Sequence, residues 1–318
     1  MTVSQPLLQI RDLAKYYRAG KRSLRAVDGV SLEVMTGETL GLVGESGCGK
    51  STLGRLACSL EEPTRGTVVF AGIDTSATPA SELRALRPRM QMVFQDPFSS
   101  LNPRRTVAQI VGLPLRIRQR LTNAQVGERT HQLLGMVGLD PQYAHRFPHQ
   151  FSGGQRQRIG IARALACDPE LIVADEPVAS LDVSVQAQIL HVMQDLQRRL
   201  GTTTIFISHD VSVVSHVSSR VAVMYLGKIV EIGPAQSVIC RPLHPYAQAL
   251  ASAVPRLDSA SGRKAVMLSG DPPSPTRVPP GCRFHTRCFM SLIPECRTVE
   301  PELREIRAGH FAACYLAG

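Results

Sequence analysis

Apolar and polar positions alternate in short runs along the first third of the chain. "LLQIRDL" and "VSLEV" each put apolar residues at nearly every second position, which predicts strands with one buried face. "TLGLVG" is apolar throughout and runs into a glycine-rich turn followed by a helical pattern, "STLGRLACSL", while "GTVVFAG" and "MQMVF" predict two more strands. Later, "LIVADE" and "TTIFISHD" repeat the buried-strand pattern, and "VAVMYLGKIVEIG" predicts a hairpin turning at Leu226 and Gly227. Strands separated by helical segments imply an α/β fold, with helices on the faces of a mostly parallel sheet.

Two stretches break this rhythm. From about 97 to 170 there is no strand signal, and the segment reads as helices and loops inserted between two sheet strands. Beyond about 240, "RPLHP" and "DPPSPTRVPPGC" predict an irregular, proline-rich appendage. No internal repeat is present.

Composition narrows what such a chain can be. At 318 residues and 43% hydrophobic it can bury a sizeable core. No run approaches the roughly 18 apolar residues of a membrane span. "MTVSQPLLQIRD" lacks the order of a signal peptide, so the chain is expected to stay on the cytoplasmic side. The net charge of +10 raises the question of nucleic acid, yet the basic residues are scattered, only 5% of residues are aromatic and there is no Trp. No nucleic-acid partner is expected. A cationic surface also suits an anionic membrane leaflet.

The strongest chemical signal is "GESGCGKST", residues 44 to 52, which fits G-x-x-x-x-G-K-[ST] through Gly44, Gly49, Lys50 and Ser51. Glycines let backbone amides turn inward around phosphate oxygens, and the following helix points its positive end at them. Glu45, Ser46, Gly47, Cys48 and Thr52 complete the cradle. Lys50 is expected to reach the β and γ phosphates of ATP and Ser51 to place its hydroxyl on Mg²⁺. In "LIVADEP", an apolar strand ends in two acids: Asp175 is expected in the Mg²⁺ shell, and Glu176 beside it to polarise the attacking water. A third element, "FSGGQRQR", sets Ser152, Gly153, Gly154 and Gln155 at the head of a helix, a second anion-seeking tip inside the inserted region. Its natural partner is a phosphate held by a second subunit, which would make ATP part of a dimer interface.

Taken together, these motifs resemble the ATP-binding cassette (ABC) ATPases. "GESGCGKST" is similar to their Walker A loop, "FSGGQRQR" to their signature motif and "LIVADEP" to Walker B. "SLD" at 180 to 182, with Asp182, resembles the D-loop; Gln95 in "MVFQDP" the Q-loop glutamine, a further Mg²⁺ ligand; and His209 in "FISHD" the switch histidine. Tyr17 in "LAKYY" is the expected adenine-stacking aromatic, with Tyr16 competing for the role. The resemblance implies catalytic roles for Glu176, His209 and Gln95. It also implies a P-loop NTPase (RecA-like) core with a mixed sheet, a nucleotide-binding domain over 1–240 and an extension over 241–318.

"VFQDPFSSLNPR", "DEPVASLDVSVQAQIL" and the tail "HPYAQAL...LSGDPPSPTRVPPGCRFHTRC" resemble more narrowly the ATPase subunits of bacterial dipeptide and oligopeptide importers, the second of their two non-identical subunits. That implies a heterodimer with a homologous ATPase, two transmembrane permeases, an external solute-binding protein and a peripheral place on the cytoplasmic face of the inner membrane. Related systems import nickel, glutathione or other small solutes. "DPFSSLNPRR", with exposable Phe98, Leu101 and Arg104, is the expected handover loop to the permeases. Two other classes compete. A soluble cassette ATPase of translation or DNA repair would usually carry two cassettes or a coiled-coil insertion, and a non-enzymatic iron-sulfur or zinc module would leave the ATP motifs idle.

The cysteines fall into two groups. Cys48, Cys58, Cys167 and Cys240 are isolated and expected to be buried or half-buried thiols. Cys282, Cys288, Cys296 and Cys314 follow C-x5-C-x7-C-x17-C, wider than zinc knuckles, which favours a [4Fe-4S] cluster over Zn²⁺. The importer resemblance points the same way. His285 remains a zinc-type alternative ligand, and four free or partly oxidised cysteines are the third reading.

Overall fold

The structure, a computed structural model, describes residues 5–20, 22–119, 121–179, 181–253, 266–290 and 292–317. In chain order the strands are β1 (Pro6–Ala19), β2 (Arg22–Met35), β3 (Thr39–Val43), β4 (Arg65–Phe70), β5 (Ile73–Asp74), β6 (Met90–Val93), β7 (Leu171–Asp175), β8 (Thr203–Ser208), β9 (Arg220–Tyr225), β10 (Lys228–Pro234), β11 (Arg304–Arg307) and β12 (His310–Ala312). The helices are α1 (Lys50–Ala57), α2 (Ala80–Leu86), α3 (Pro97–Ser100), α4 (Val107–Gln119), α5 (Asn123–Met136), α6 (Gly153–Leu165), α7 (Val183–Leu200), α8 (Val211–Val217), α9 (Ala235–Cys240), α10 (Pro245–Ser252) and α11 (Glu295–Thr298). The chain divides into two compact units, one formed mainly by Ala77–Ile205, the other by Pro6–Val34, Thr39–Ser76 and Phe206–Gly318.

In the second of these units, β1 pairs antiparallel with β4, Leu8 opposite Phe70, within a sheet ordered β2-β1-β4-β5. Alternation accounts for it, since Leu8 and Ile10 are buried while Gln9 and Arg11 are not. Both β1 and β2 run farther than the apolar patterns alone suggested, and β1 carries Tyr16 and Tyr17 along its last turns of pleat. A separate arrangement joins β3 parallel to β9, and β9 antiparallel to β10, which makes the sheet mixed. Tyr225 lies opposite Lys228, leaving Leu226 and Gly227 as the two-residue turn, with φ of 41° and 81°. That is the expected hairpin, and its positive φ pair matches the right-handed strand twist.

The appendage after residue 240, expected to be irregular, contains a second hairpin. Strands β11 and β12 pair antiparallel, and β12 adds to β10 with Ile232 opposite Phe311. The buried Glu231 fastens this addition: its carboxylate accepts from the amides of Leu243 and His244 and meets His310 Nε2 at 2.7 Å. A carboxylate so placed is tolerated because each oxygen has a donor. Leu243, Ala312, Cys314 and Ala317 close a small apolar cluster around the junction.

In the unit built on Ala77–Ile205, β6 and β7 pair in parallel, Met90 opposite Leu171. Between them the described residues form helices and turns and no strand, as the sequence pattern predicts. Helices α4, α5 and α6 pack on one another, and Val111, Leu115, Leu133, Leu134, Ile159 and Ala162 along them are buried. Thr122 and Gln125 form a reciprocal capping box that starts α5. Helix α7 approaches α6 so closely that a Cβ on Gly154 would lie 2.3 Å from Val185 Cγ1.

Candidate nucleotide site

The phosphate loop lies between β3 and α1. Gly49, the N-cap of α1, has φ of 111°, and a Cβ there would sit 2.0 Å from the Ala26 carbonyl oxygen. Only glycine fits that turn. No side chain caps α1 and its first turn holds no acid, so the positive end of its dipole meets an anion without a competing carboxylate. Lys50 is 4% exposed, and its Nζ donates to the carbonyls of Gly44 at 2.7 Å and Glu45 at 3.0 Å. The ammonium is thus held against the loop's own backbone. Cys48 is buried in the loop, and burial pushes its thiol up. These features suit triphosphate oxygens, with Ser51 and Thr52 in the first turn of the helix.

The neighbouring aromatic pair divides cleanly. The Tyr16 hydroxyl donates to the Asp28 carboxylate, whereas the Tyr17 hydroxyl bonds Glu61 and Thr52, the last residue of the loop motif. Lys15 Nζ lies 5.3 Å from the centre of the Tyr17 ring. Farther along, His209 is exposed just past the end of β8, immediately before Asp210, which caps α8.

In the other unit, Asp175 ends β7 and is buried, and Glu176 follows with φ of 45°. A left-handed glutamate is strained, and such residues cluster where geometry serves function. Gln95 Nε2 donates to Glu176 Oε2 at 3.2 Å. Two residues 81 apart in sequence, singled out separately, are therefore brought together. Asp182 is the N-cap of α7 and exposed; its D-loop neighbour Ser180 lies outside the described residues.

Ser152 is the N-cap of α6, and its hydroxyl accepts from the Gln155 amide at 3.3 Å while Gln155 Oε1 accepts from the Ser152 amide at 3.1 Å. The anion-seeking tip expected at this helix thus carries a reciprocal capping box. Gly154 has a packing role besides, through its approach to Val185.

Two expectations are corrected here. Leu101 is 2% exposed, packed into its unit rather than offered to a partner, while Phe98 is 63% exposed with Arg156 over its ring and Arg104 is exposed. Cys240 is exposed, because it closes the short helix α9 where the chain leaves the sheet; Cys48, Cys58 and Cys167 are buried as expected.

Cys282, Cys288, Cys296 and Cys314 line one small apolar cavity with His244, His285 and Phe284. Burial, reinforced by the other three cysteines, pushes the Cys282 thiol up to about 11, and burial raises Cys288 and Cys314 too. Among the described residues no three His, Cys, Asp or Glu side chains converge closely enough to hold one metal ion. That arrangement does not fit a single zinc ion, whose four ligands crowd within about 2.3 Å of it. The His285 ring nitrogen Nδ1 lies 2.8 Å from the Cys282 carbonyl oxygen.

Comparison with known proteins decides the family. Residues 27–179 match the ABC transporter family, and residues 230–296 match the C-terminal region of oligopeptide and dipeptide transporters. This chain belongs to the ABC transporter ATPases. The oligopeptide transport ATP-binding protein AppF of Bacillus subtilis is 49% identical over 322 residues, covering 98% of each chain. A Brucella ovis protein, named for peptide import and ATP binding, is 50% identical over 97% of each. Among solved structures, the ATP-binding cassette MJ0796, a dimer bound to ADP and Pi, superposes with a TM-score of 0.67 at 31% identity over 72% of this chain and 98% of its own. The fold of this ABC ATPase is accordingly the P-loop NTPase α/β fold.

Proposed function

We propose that this ABC ATPase powers import of dipeptides or oligopeptides by ATP-driven closure of an ATPase dimer coupled to membrane permeases. The match over residues 230–296 to the oligopeptide and dipeptide transporter C-terminal region carries the cargo assignment, and AppF supports it. No helix among the described residues is long and apolar enough to cross a membrane, so transport requires partners: two permeases, an external solute-binding protein and a second, homologous ATPase. Its place is the cytoplasmic face of the inner membrane. The exposed Phe98 and Arg104 remain the candidates for handover to a permease.

The residue roles follow from chemistry. Lys50 and the amides of residues 44 to 52 bind the β and γ phosphates, and Tyr17 stacks on adenine. Ser51, Asp175 and Gln95 are the residues to hold Mg²⁺, which neutralises phosphate charge when bound. Glu176 orients and polarises the attacking water, with Gln95 fixing its carboxylate, and His209 and Asp182 complete the chemistry. Ser152, Gly153, Gly154 and Gln155 contact the ATP held by the partner ATPase.

We infer a [4Fe-4S] cluster rather than zinc from the wide spacing of the four cysteines in sequence, since each thiolate of a cluster binds a different iron and need not converge on one ion. Such a cluster would tie the proline-rich segment into one unit and take no part in hydrolysis.

The experiment is mutational. Glu176→Gln should nearly abolish turnover, by about a hundredfold or more, while nucleotide stays bound. Lys50→Ala should weaken nucleotide binding itself. ATP hydrolysis at the parent rate by Glu176→Gln would remove Glu176 from the role.

A further inference from the structure

A carboxylate in a phosphate-binding loop is an electrostatic liability, and this loop has one at Glu45. The anion the loop attracts carries the same sign of charge, so an uncompensated Glu45 would oppose binding. Its compensation comes from 242 residues away. Arg287 Nη1 donates to Glu45 Oε2 at 2.8 Å and Nη2 to Oε1 at 3.0 Å, a two-point pair whose arginine is buried and whose glutamate is only part-exposed. Planar two-point pairing fixes the direction of a carboxylate as well as its charge.

The same segment grips the loop at further points. The Glu45 amide donates to the Tyr246 hydroxyl at 2.7 Å, and the carbonyl of Glu45 is one of the two that hold Lys50. Phe284 packs against the touching rings of Tyr225 and Tyr246, with centroids 5.3 and 5.4 Å away, and so seats the turn that carries Arg287. Arg283 pairs with Asp28 at 2.6 Å and donates to the Leu226 carbonyl, at the hairpin tip whose Gly227 amide donates to the Cys48 carbonyl at 2.8 Å. Each arginine adjoins a cysteine of the four-cysteine cavity, Arg283 after Cys282 and Arg287 before Cys288.

We propose that Arg287 is a positioning residue of the nucleotide site, which neutralises Glu45 and holds its carboxylate aside so that the loop can accept ATP phosphates. The C-terminal extension is then a working part of the ATPase. This rests on the reading of residues 44 to 52 as the phosphate site. Nothing in the local sequence announces Arg287; the pairing exists only because β10 and the extension bring the chain back to the loop.

The test titrates the purified full-length chain with a fluorescent ATP analogue and Mg²⁺, alongside thermal unfolding of each variant. Arg287→Ala should weaken binding about tenfold, and Arg287→Lys, which keeps the charge but loses the fork, about threefold. Adding Glu45→Gln to either should restore affinity to within about twofold of the parent, because the harm lies in the unneutralised carboxylate. A purely structural role would lower the unfolding midpoint without that rescue. Parent affinity in both arginine variants, or a loss that Glu45→Gln leaves in place, overturns the proposal; should Arg287→Ala not fold, Arg287→Lys with and without Glu45→Gln decides. Lys50→Ala separates the two readings: if it binds like the parent, the phosphate-site reading fails, and if it alone binds poorly, only the role of Arg287 fails.

Discussion

Glu176 combines a left-handed backbone with a hydrogen bond from Gln95, so its carboxylate is aimed by strain and by a neighbour at once. Asp28 shows the opposite economy, a buried acid made stable by its partners. Burial alone would raise its carboxyl, but hydrogen bonds from Tyr16 and Arg283 and the charges of Arg283 and Arg25 outweigh burial and bring it from 3.8 down to about 2. A carboxyl depressed in the folded state stabilises fully above its unfolded value, and that stability is lost as pH falls toward the folded value. Asp28→Asn should therefore lower the denaturation midpoint at neutral pH and flatten the acid dependence between 3.8 and about 2, as measured by denaturant unfolding across pH. An unchanged acid limb would contradict the assignment. At this scale the places of the loop glycines, Lys50, Asp175 and Glu176 were legible, because each follows directly from a buried strand and the turn after it. The Asp28–Arg283 and Glu45–Arg287 pairs were not, since each joins residues more than 240 positions apart.

Among the elements, the β9–β10 hairpin could be read directly, because a two-residue turn flanked by alternating apolar positions has few other solutions. Strands β11 and β12, "REIR" and "HFA", are too short and polar to signal themselves, and they form only because β10 offers an edge. Leu101 misled for a similar reason: in a polar stretch a single leucine reads as exposed, yet the Arg163 guanidinium anchors the adjacent Ser100 carbonyl and the leucine turns inward. The four-cysteine segment belongs to this scale too. Protein purified without oxygen should be brown, hold about four irons per chain and lose them when any of Cys282, Cys288, Cys296 or Cys314 becomes Ala. Colourless, iron-free protein would remove the cluster, and stoichiometric zinc would replace it.

As a whole, the molecule joins an ATPase core to an extension that reaches back to the phosphate loop, and the family match covers both parts. What the chain does with ATP follows from the core; what is moved follows from the partners that the match of the extension to peptide transporters implies. The most direct test reconstitutes the chain with its permeases and the proposed second ATPase in liposomes, supplies the solute-binding protein loaded with a labelled oligopeptide, and measures uptake. ATP-dependent accumulation of peptide in the parent complex, lost in Glu176→Gln although nucleotide remains bound, is the predicted result; hydrolysis that moves no peptide, or uptake undiminished by Glu176→Gln, would contradict it.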